Sequence, residues 1–496
     1  VTRLDDLYRE QRQSPWIDDL KRSYVRAGGL EKLVAAGIRG VTSNPTILTR
    51  AIGTGSDYDE QFGELVRADV PVEDAYWELV LADVVGALDI LRPLYESSGG
   101  GDGFVSVEVA PGLARDTAGT IAAARALCDR VERPNVLVKI PATPEGLPAI
   151  EEAIASGVKV NVTLIFSLER YQAVIDAYLG GLERLAAAGG SPAKVASVAS
   201  VASFFVSRVD TEVDRRLEAI AKAEPGSPRA ARALELRGRA ALAQAHLAYE
   251  VFRDRFSSSR FTVLAAAGAR VQRPLWASTS TKNPAYPDLL YVDGLIGPDT
   301  VNTLPPETAE AFNDHGAVAR TVDTAVAESK EVLAALAEVG VDLDDVTEQL
   351  EVEGVAAFAK SFEDLGPARR QGRGAPLRRL TGREARHDRP RASRDGVGDA
   401  PRRRRPGRRR RRGRPPARPA RHGDLRRLGG PHASQDPAGA QPPCVPGVAA
   451  RGVHGDRRGA HGPVRRRVPE ARPRGSRRRR LIRVEAPRGA FLVRCR

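Results

Sequence analysis

Lys139 is the residue whose setting most directly suggests chemistry, because it stands inside the apolar run VLVKI at 136–140. Desolvation penalises the charged form of an amine and lowers its pKa, so the expectation is a fraction of free amine near neutral pH. A neutral amine adds to a ketone carbonyl and, on losing water, becomes an imine; once protonated, the imine accepts the electrons of a breaking C–C bond. The competing reading is a strand-end lysine whose ammonium reaches solvent. Carboxylates elsewhere favour the first reading. Glu108, in SVEV at 106–109, is expected to have a raised pKa and to pass protons through a water during imine formation; its alternative is a buried salt bridge. Asp18 could take a proton from a substrate hydroxyl as the carbon bond breaks, with Asp19 the expected helix cap.

Three further runs place polar residues two apart among apolar neighbours: Thr42 and Asn44, Ser106 and Glu108, Asn161 and Thr163. Residues two apart on a strand share a face, and a polar face inside a core calls for a polar ligand. Arg208 carries a planar fork suited to a phosphate, unless it pairs with Asp210 or Asp214. Ser278, Ser280 and Lys282 add donors at the end of a seventh run, where phosphate sites are common in parallel barrels. His246 and His315 are the histidines of residues 1–365 and read as surface or helix residues, so no metal site is expected.

Such residues need a frame that brings strand ends together. Eight short apolar runs, at 15–17, 40–43, 104–109, 135–140, 159–166, 196–206, 273–277 and 288–292, alternate with helical patterns at 73–94, 117–130, 168–186 and 230–255. Continuous apolar runs suit strands buried on both faces. No glycine-rich dinucleotide turn follows the first run, so a (β/α)8 TIM barrel is expected over an open sheet. Segments 305–312, 318–339 and 343–361 read as extra closing helices.

The composition divides at about residue 365. Residues 366–496 contain 40 Arg against 9 Asp and Glu, a balance of +31, and the whole chain is +14, which leaves residues 1–365 near −17. An acidic globular body thus carries a basic Arg/Pro/Gly-rich tail that cannot bury enough surface to offset its chain entropy and is expected to be disordered. Its abrupt onset and lack of interleaved aromatics favour out-of-frame translation of a GC-rich gene over a functional arm. Cys128, Cys444 and Cys495 are too few and scattered for a disulfide framework. With no leader pattern and no long apolar stretch, neither export nor membrane insertion is expected, and the chain reads as cytoplasmic.

Taken together, the segments IDDL at 17–20, GVTSNPT at 40–46, VSVEVAP at 105–111, LVKIPATPEG at 137–146, NVTLIFS at 161–167, ASFFVSRVD at 202–210 and WASTSTKNPAYPDLLYVD at 276–293 resemble the transaldolase family, in barrel order. The resemblance implies transfer of a dihydroxyacetone unit from sedoheptulose 7-phosphate or fructose 6-phosphate to an aldose phosphate, in the pentose phosphate pathway, without metal or organic cofactor. It implies Lys139 as the Schiff-base lysine, Glu108 and Asp18 as proton-handling carboxylates, and Thr163 as the holder of a relay water. Asn44 and Asn161 would contact substrate hydroxyls. Ser203, Phe205 and Arg208 would form the sixth-strand part of the site and Ser278 the seventh. Lys282 would replace a second arginine that some members carry.

Three other functions are weighed. One is a fructose 6-phosphate aldolase that releases dihydroxyacetone to water. Another is a polyanion-binding protein acting through the tail, whose nucleic-acid contacts would be nonspecific. The third is an inactive barrel from a disrupted gene. The sequence leaves monomer and homodimer both open.

Overall fold

A computed structural model describes residues 2–53 and 56–363. Its strands are β1 (Ser14–Ile17), β2 (Gly40–Thr42), β3 (Phe104–Glu108), β4 (Val136–Pro141), β5 (Val160–Ile165), β6 (Ser200–Phe205), β7 (Arg273–Ala277) and β8 (Val301–Leu304). They are parallel and close in chain order, with β8 returning to pair with β1. Apart from Arg273, every strand residue is buried, as expected for strands filled from inside and covered by helices outside. The expected (β/α)8 TIM barrel is the observed fold.

The outer ring forms by helical periodicity. In Leu168–Ala187, Tyr171, Ile175, Tyr178 and Leu182 fall three or four apart and are buried. Ser167 begins this helix by accepting the Arg170 N–H, and Asp116 begins Thr117–Val131 by accepting that of Gly119. At the N-terminal end of the barrel, Asp102 gathers Ser14 Oγ at 2.8 Å, Trp16 Nε1 at 3.3 Å, Arg39 Nε at 2.8 Å and Arg273 Nη2 at 3.2 Å. This hub ties β1 and β7 to the segment entering β3, far from the strand ends that carry catalysis in this fold.

Several expected boundaries move. The run at 288–292 is not the eighth strand: Leu290–Asp293 is a short helix that buries Tyr291 and Val292, and β8 is Val301–Leu304. A short apolar run suits either element, whereas the true strand is disguised by Asn302 and Thr303. The run at 196–206 begins in the helix Pro192–Ser197, opened by Ser191 and Pro192, and extends only from Ser200. The helical pattern at 230–255 is two helices, Pro228–Glu235 and Ala240–Phe256, broken near Gly238, which has a φ of +70°. Asp19 caps no helix; the nearby helix Arg22–Arg26 lacks a side-chain cap, and Asp19 pairs with Lys21 at 3.3 Å.

The final described helix, Leu343–Glu363, crosses the C-terminal mouth of the barrel. It touches Pro45–Gly53 after β2, the turn Pro111–Leu113 after β3, the end of β5, and Ser207–Ala223 after β6. Among the described residues no helix is long and apolar enough to cross a membrane. The tail expected over 366–496 lies outside the described residues.

Candidate active site

Strand register brings the chemistry-bearing residues together. Glu108 on β3 is paired with Lys139 on β4, and Lys139 with Asn161 on β5, so three polar residues lie in one layer of the barrel. Lys139 is only 5 % exposed. Its Nζ donates to the Ser43 carbonyl at 3.2 Å and lies 3.7 Å from Glu108 Oε2. The strand-end lysine reaching bulk solvent is therefore not what this barrel contains. Glu108 does adopt its alternative reading in part, since its buried partner is Lys139 itself.

Burial pushes the Glu108 carboxyl up to about 7, against the opposing pull of Lys139. Glu108 Oε2 and Thr163 Oγ1 are both buried without a hydrogen-bond partner among the described residues. Two polar atoms so placed suit a group that exchanges protons with a third party. Asp18 follows β1, fixed by its N–H donating to the Leu304 carbonyl. Burial raises its pKa, while Lys139 and a hydrogen bond from Thr42 oppose the rise. That bond, Thr42 Oγ1 to Asp18 Oδ1, is 2.7 Å, and Thr303 on β8 meets the same Thr42 hydroxyl at 2.6 Å. The chain of hydroxyls orients the carboxylate.

A cavity of about 170 Å³ opens over these groups. Asp18, Thr42, Asn44, Lys139, Ser203, Phe205, Arg208, Ser278 and Lys282 line it, with Ser280, Thr303 and Phe358 among the others. Asn44 accepts the Ile47 N–H at 3.0 Å and so begins the helix Pro45–Gly53. Arg208 stacks 4.9 Å over Phe205. Neither suggested carboxylate pairs with it: Asp210 accepts from Tyr291 Oη and the Ala241 N–H, and Asp214 from Tyr286 Oη and the Gly238 N–H. Ser278, at the end of β7, holds a φ of +59° and meets Ser207 Oγ at 2.9 Å. A non-glycine residue in that conformation is costly and is often found at functional sites. Exposed Lys282 donates to Ser280 Oγ at 2.6 Å.

Glu108, Asn161 and Thr163 do not line the cavity. Asn161 donates to Ser106 Oγ at 3.0 Å and accepts from Ser203 Oγ at 2.7 Å, so it buttresses the wall. A larger recess of about 250 Å³ lies at the opposite end of the barrel, against Arg12, Asp102, Arg270 and Arg273. Its charged groups are largely committed to one another and to carbonyls, and it holds no buried amine. Chemistry and not size therefore singles out the smaller cavity, which of the two holds the buried amine. His246 is buried between Ser329 Oγ and the Gly294 carbonyl, so it is a helix residue but not a surface one. Among the described residues no group of three or more His, Cys, Asp or Glu is placed to hold a metal ion.

Residues 15–368 match the family model described as transaldolase/fructose-6-phosphate aldolase. The chain belongs to that family. Among its relatives, "Transaldolase 1" of Streptomyces coelicolor is 51 % identical over 358 residues, covering 72 % of this chain and 91 % of the relative. "Transaldolase" of Thermobifida fusca is 52 % identical over 352 residues, covering 71 % and 93 %. "Transaldolase" of Mycolicibacterium smegmatis is 49 % identical over 354 residues, covering 71 % and 92 %. The transaldolase/fructose-6-phosphate aldolase match ends within a few residues of the change in composition.

Ser43, Thr303 and Phe358 were not anticipated from sequence. Thr303 was hidden by the misplaced eighth strand, although VNTL followed by Pro305 and Pro306 carries a strand-then-helix signal. Ser43 acts through its carbonyl, which no side-chain pattern reveals.

Proposed function

We propose that this chain is a transaldolase that moves a dihydroxyacetone unit from sedoheptulose 7-phosphate or fructose 6-phosphate to an aldose phosphate through an imine on Lys139. The observation that carries the reading is the Lys139 amine, buried at 3.7 Å from a carboxyl whose pKa is near 7, on the wall of a cavity that also holds Arg208 and Asp18. Attack of the amine on the ketose carbonyl gives a carbinolamine. Glu108, working through a water held by Thr163, protonates the departing hydroxyl, which leaves as water to form the imine. Asp18 then removes the proton from the hydroxyl beyond the bond that breaks. The electron pair of that C–C bond moves into the protonated imine, giving an enamine and releasing the first aldose phosphate.

The enamine carbon next attacks the acceptor carbonyl, whose oxygen takes the proton back from Asp18. Hydrolysis of the new imine frees the product and Lys139. Thr42, Asn44, Ser203 and Phe205 shape the dihydroxyacetone end, and Asn161 positions Ser203. Arg208, Ser278 and Lys282 receive the phosphate. No metal or organic cofactor enters these steps, and sugar-phosphate substrates suit a cytoplasmic enzyme. The test is turnover of fructose 6-phosphate with and without an acceptor aldose phosphate. Transfer dependent on the acceptor supports the proposal; dihydroxyacetone release at the same rate without acceptor supports the aldolase instead; no consumption in either mixture overturns both.

A further inference from the structure

Phe358 differs in origin from every other residue around the cavity. The remainder come from the barrel strands and the segments that immediately follow them, whereas Phe358 descends from Leu343–Glu363, the helix laid across the mouth. It is 6 % exposed and packs within the apolar core while facing a cavity lined by Asp18, Lys139 and Arg208. An aromatic ring beside a carboxylate and these two cations contributes no hydrogen bond to a sugar. Its effect there is to keep solvent away.

The helix that carries it is anchored on several sides. Thr46 Oγ1 meets Ser361 Oγ at 2.7 Å, and Thr49 Oγ1 donates to the Ser361 carbonyl at 3.0 Å. Arg170 reaches Glu351 at 3.3 Å. Arg216, on the same helix as Arg208, holds Asp345 at 2.6 Å and Gln349 at 2.9 Å. Tyr76 and Phe362 pack edge to face with centroids 5.2 Å apart. Gly354 permits close seating, since a Cβ there would stand 2.9 Å from Leu164 on the rim. These ties hold the ring in place over the site.

A transferase must keep its intermediate after the first product has gone. The enamine on Lys139 has two fates, and solvent decides between them. Attack on an acceptor carbonyl forms a C–C bond, and the acceptor oxygen takes a proton. Alternatively one proton adds to the enamine carbon and restores an imine, and one water then adds across the C=N bond, freeing dihydroxyacetone and the Lys139 amine. Closed sites suppress such leakage. We propose that Phe358 shields the enamine from solvent and thereby sets the partition between transfer to an acceptor and release of free dihydroxyacetone. The inference rests on the Schiff-base reading above.

The test uses the full chain and its Phe358→Leu and Phe358→Ala variants, with fructose 6-phosphate as donor. Free dihydroxyacetone is measured without acceptor, transfer is measured with an aldose phosphate acceptor, and borohydride trapping is run on each protein. The ratio of release to transfer should rise several-fold in Phe358→Ala and take an intermediate value in Phe358→Leu, with Lys139 still trapped. Should Phe358→Ala fail to fold, Phe358→Leu and Phe358→Val carry the same comparison. An unchanged ratio with intact trapping overturns the shielding role alone. Absence of trapping in the parent removes the intermediate, and both readings fall.

Discussion

Replacing Glu108 by Gln should weaken catalysis and strengthen the fold at alkaline pH. The parent carboxyl is pushed up by burial from an ordinary 4.5 to about 7. Protons are therefore held more tightly in the folded than in the unfolded state. The stability this provides is fully present below 4.5 and is lost as pH rises through 7. At roughly 1.4 kcal/mol per pKa unit, ionising this group within the fold costs about 3 kcal/mol above pH 7. Gln is close to the protonated form in shape and charge and escapes that cost. Urea unfolding of parent and Glu108→Gln at pH 5 and pH 8 isolates the effect, because packing differences that do not depend on pH cancel. The variant's advantage should grow by about 2 kcal/mol between those two values. Over the same range its kcat/KM should fall by about 10²–10⁴ and lose the parent's limb near pH 7, as expected when a proton carrier is removed. A stability difference that does not change with pH would refute the assignment of a buried, proton-holding carboxyl.

Arg208→Gln should lower kcat/KM for a phosphorylated ketose by about 10- to 100-fold, the equivalent of a charged hydrogen bond of roughly 1.5–3 kcal/mol. An equal loss on unphosphorylated fructose would contradict a phosphate role. Thr42→Val removes the 2.7 Å hydrogen bond that lowers the Asp18 pKa, so the acidic limb of the kcat profile should move to higher pH. A pH–rate series shows whether it does. Asp102→Ala should cost about 3 kcal/mol in denaturant melts by leaving Arg39 and Arg273 without their shared partner, yet leave trapping at Lys139 intact, since the hub lies at the other end of the barrel.

The candidate site was legible in sequence wherever a polar residue interrupted a buried strand. Lys139 stood out from a solvated strand-end lysine because Glu108, Asn44 and Asn161 interrupt other apolar runs in the same way that it interrupts VLVKI. The register that pairs Lys139 with Glu108 is a consequence of strand order, which the alternation of runs already suggested. Legibility failed where the same logic ran in reverse. β8 presents Asn302 and Thr303 in a four-residue strand, so its pattern looked less like a strand than the buried helix Leu290–Asp293 did. Asn161 carries the expectation of a substrate contact, and its amide also bonds Ser106 on β3 and Ser203 on β6, a network that the run NVT does not reveal. Phe358 lies on a helix whose apolar residues all serve packing by pattern, and only the path of that helix over the mouth gives its ring a second role.

The proposed reaction runs through a covalent bond between Lys139 and a sugar carbonyl carbon. Borohydride reduction in the presence of fructose 6-phosphate, followed by peptide mapping, reads that bond directly. One irreversible adduct per chain on the peptide containing Lys139, with loss of turnover and no adduct in Lys139→Ala, is the predicted result. An adduct on another lysine, or equal labelling of Lys139→Ala, would contradict it.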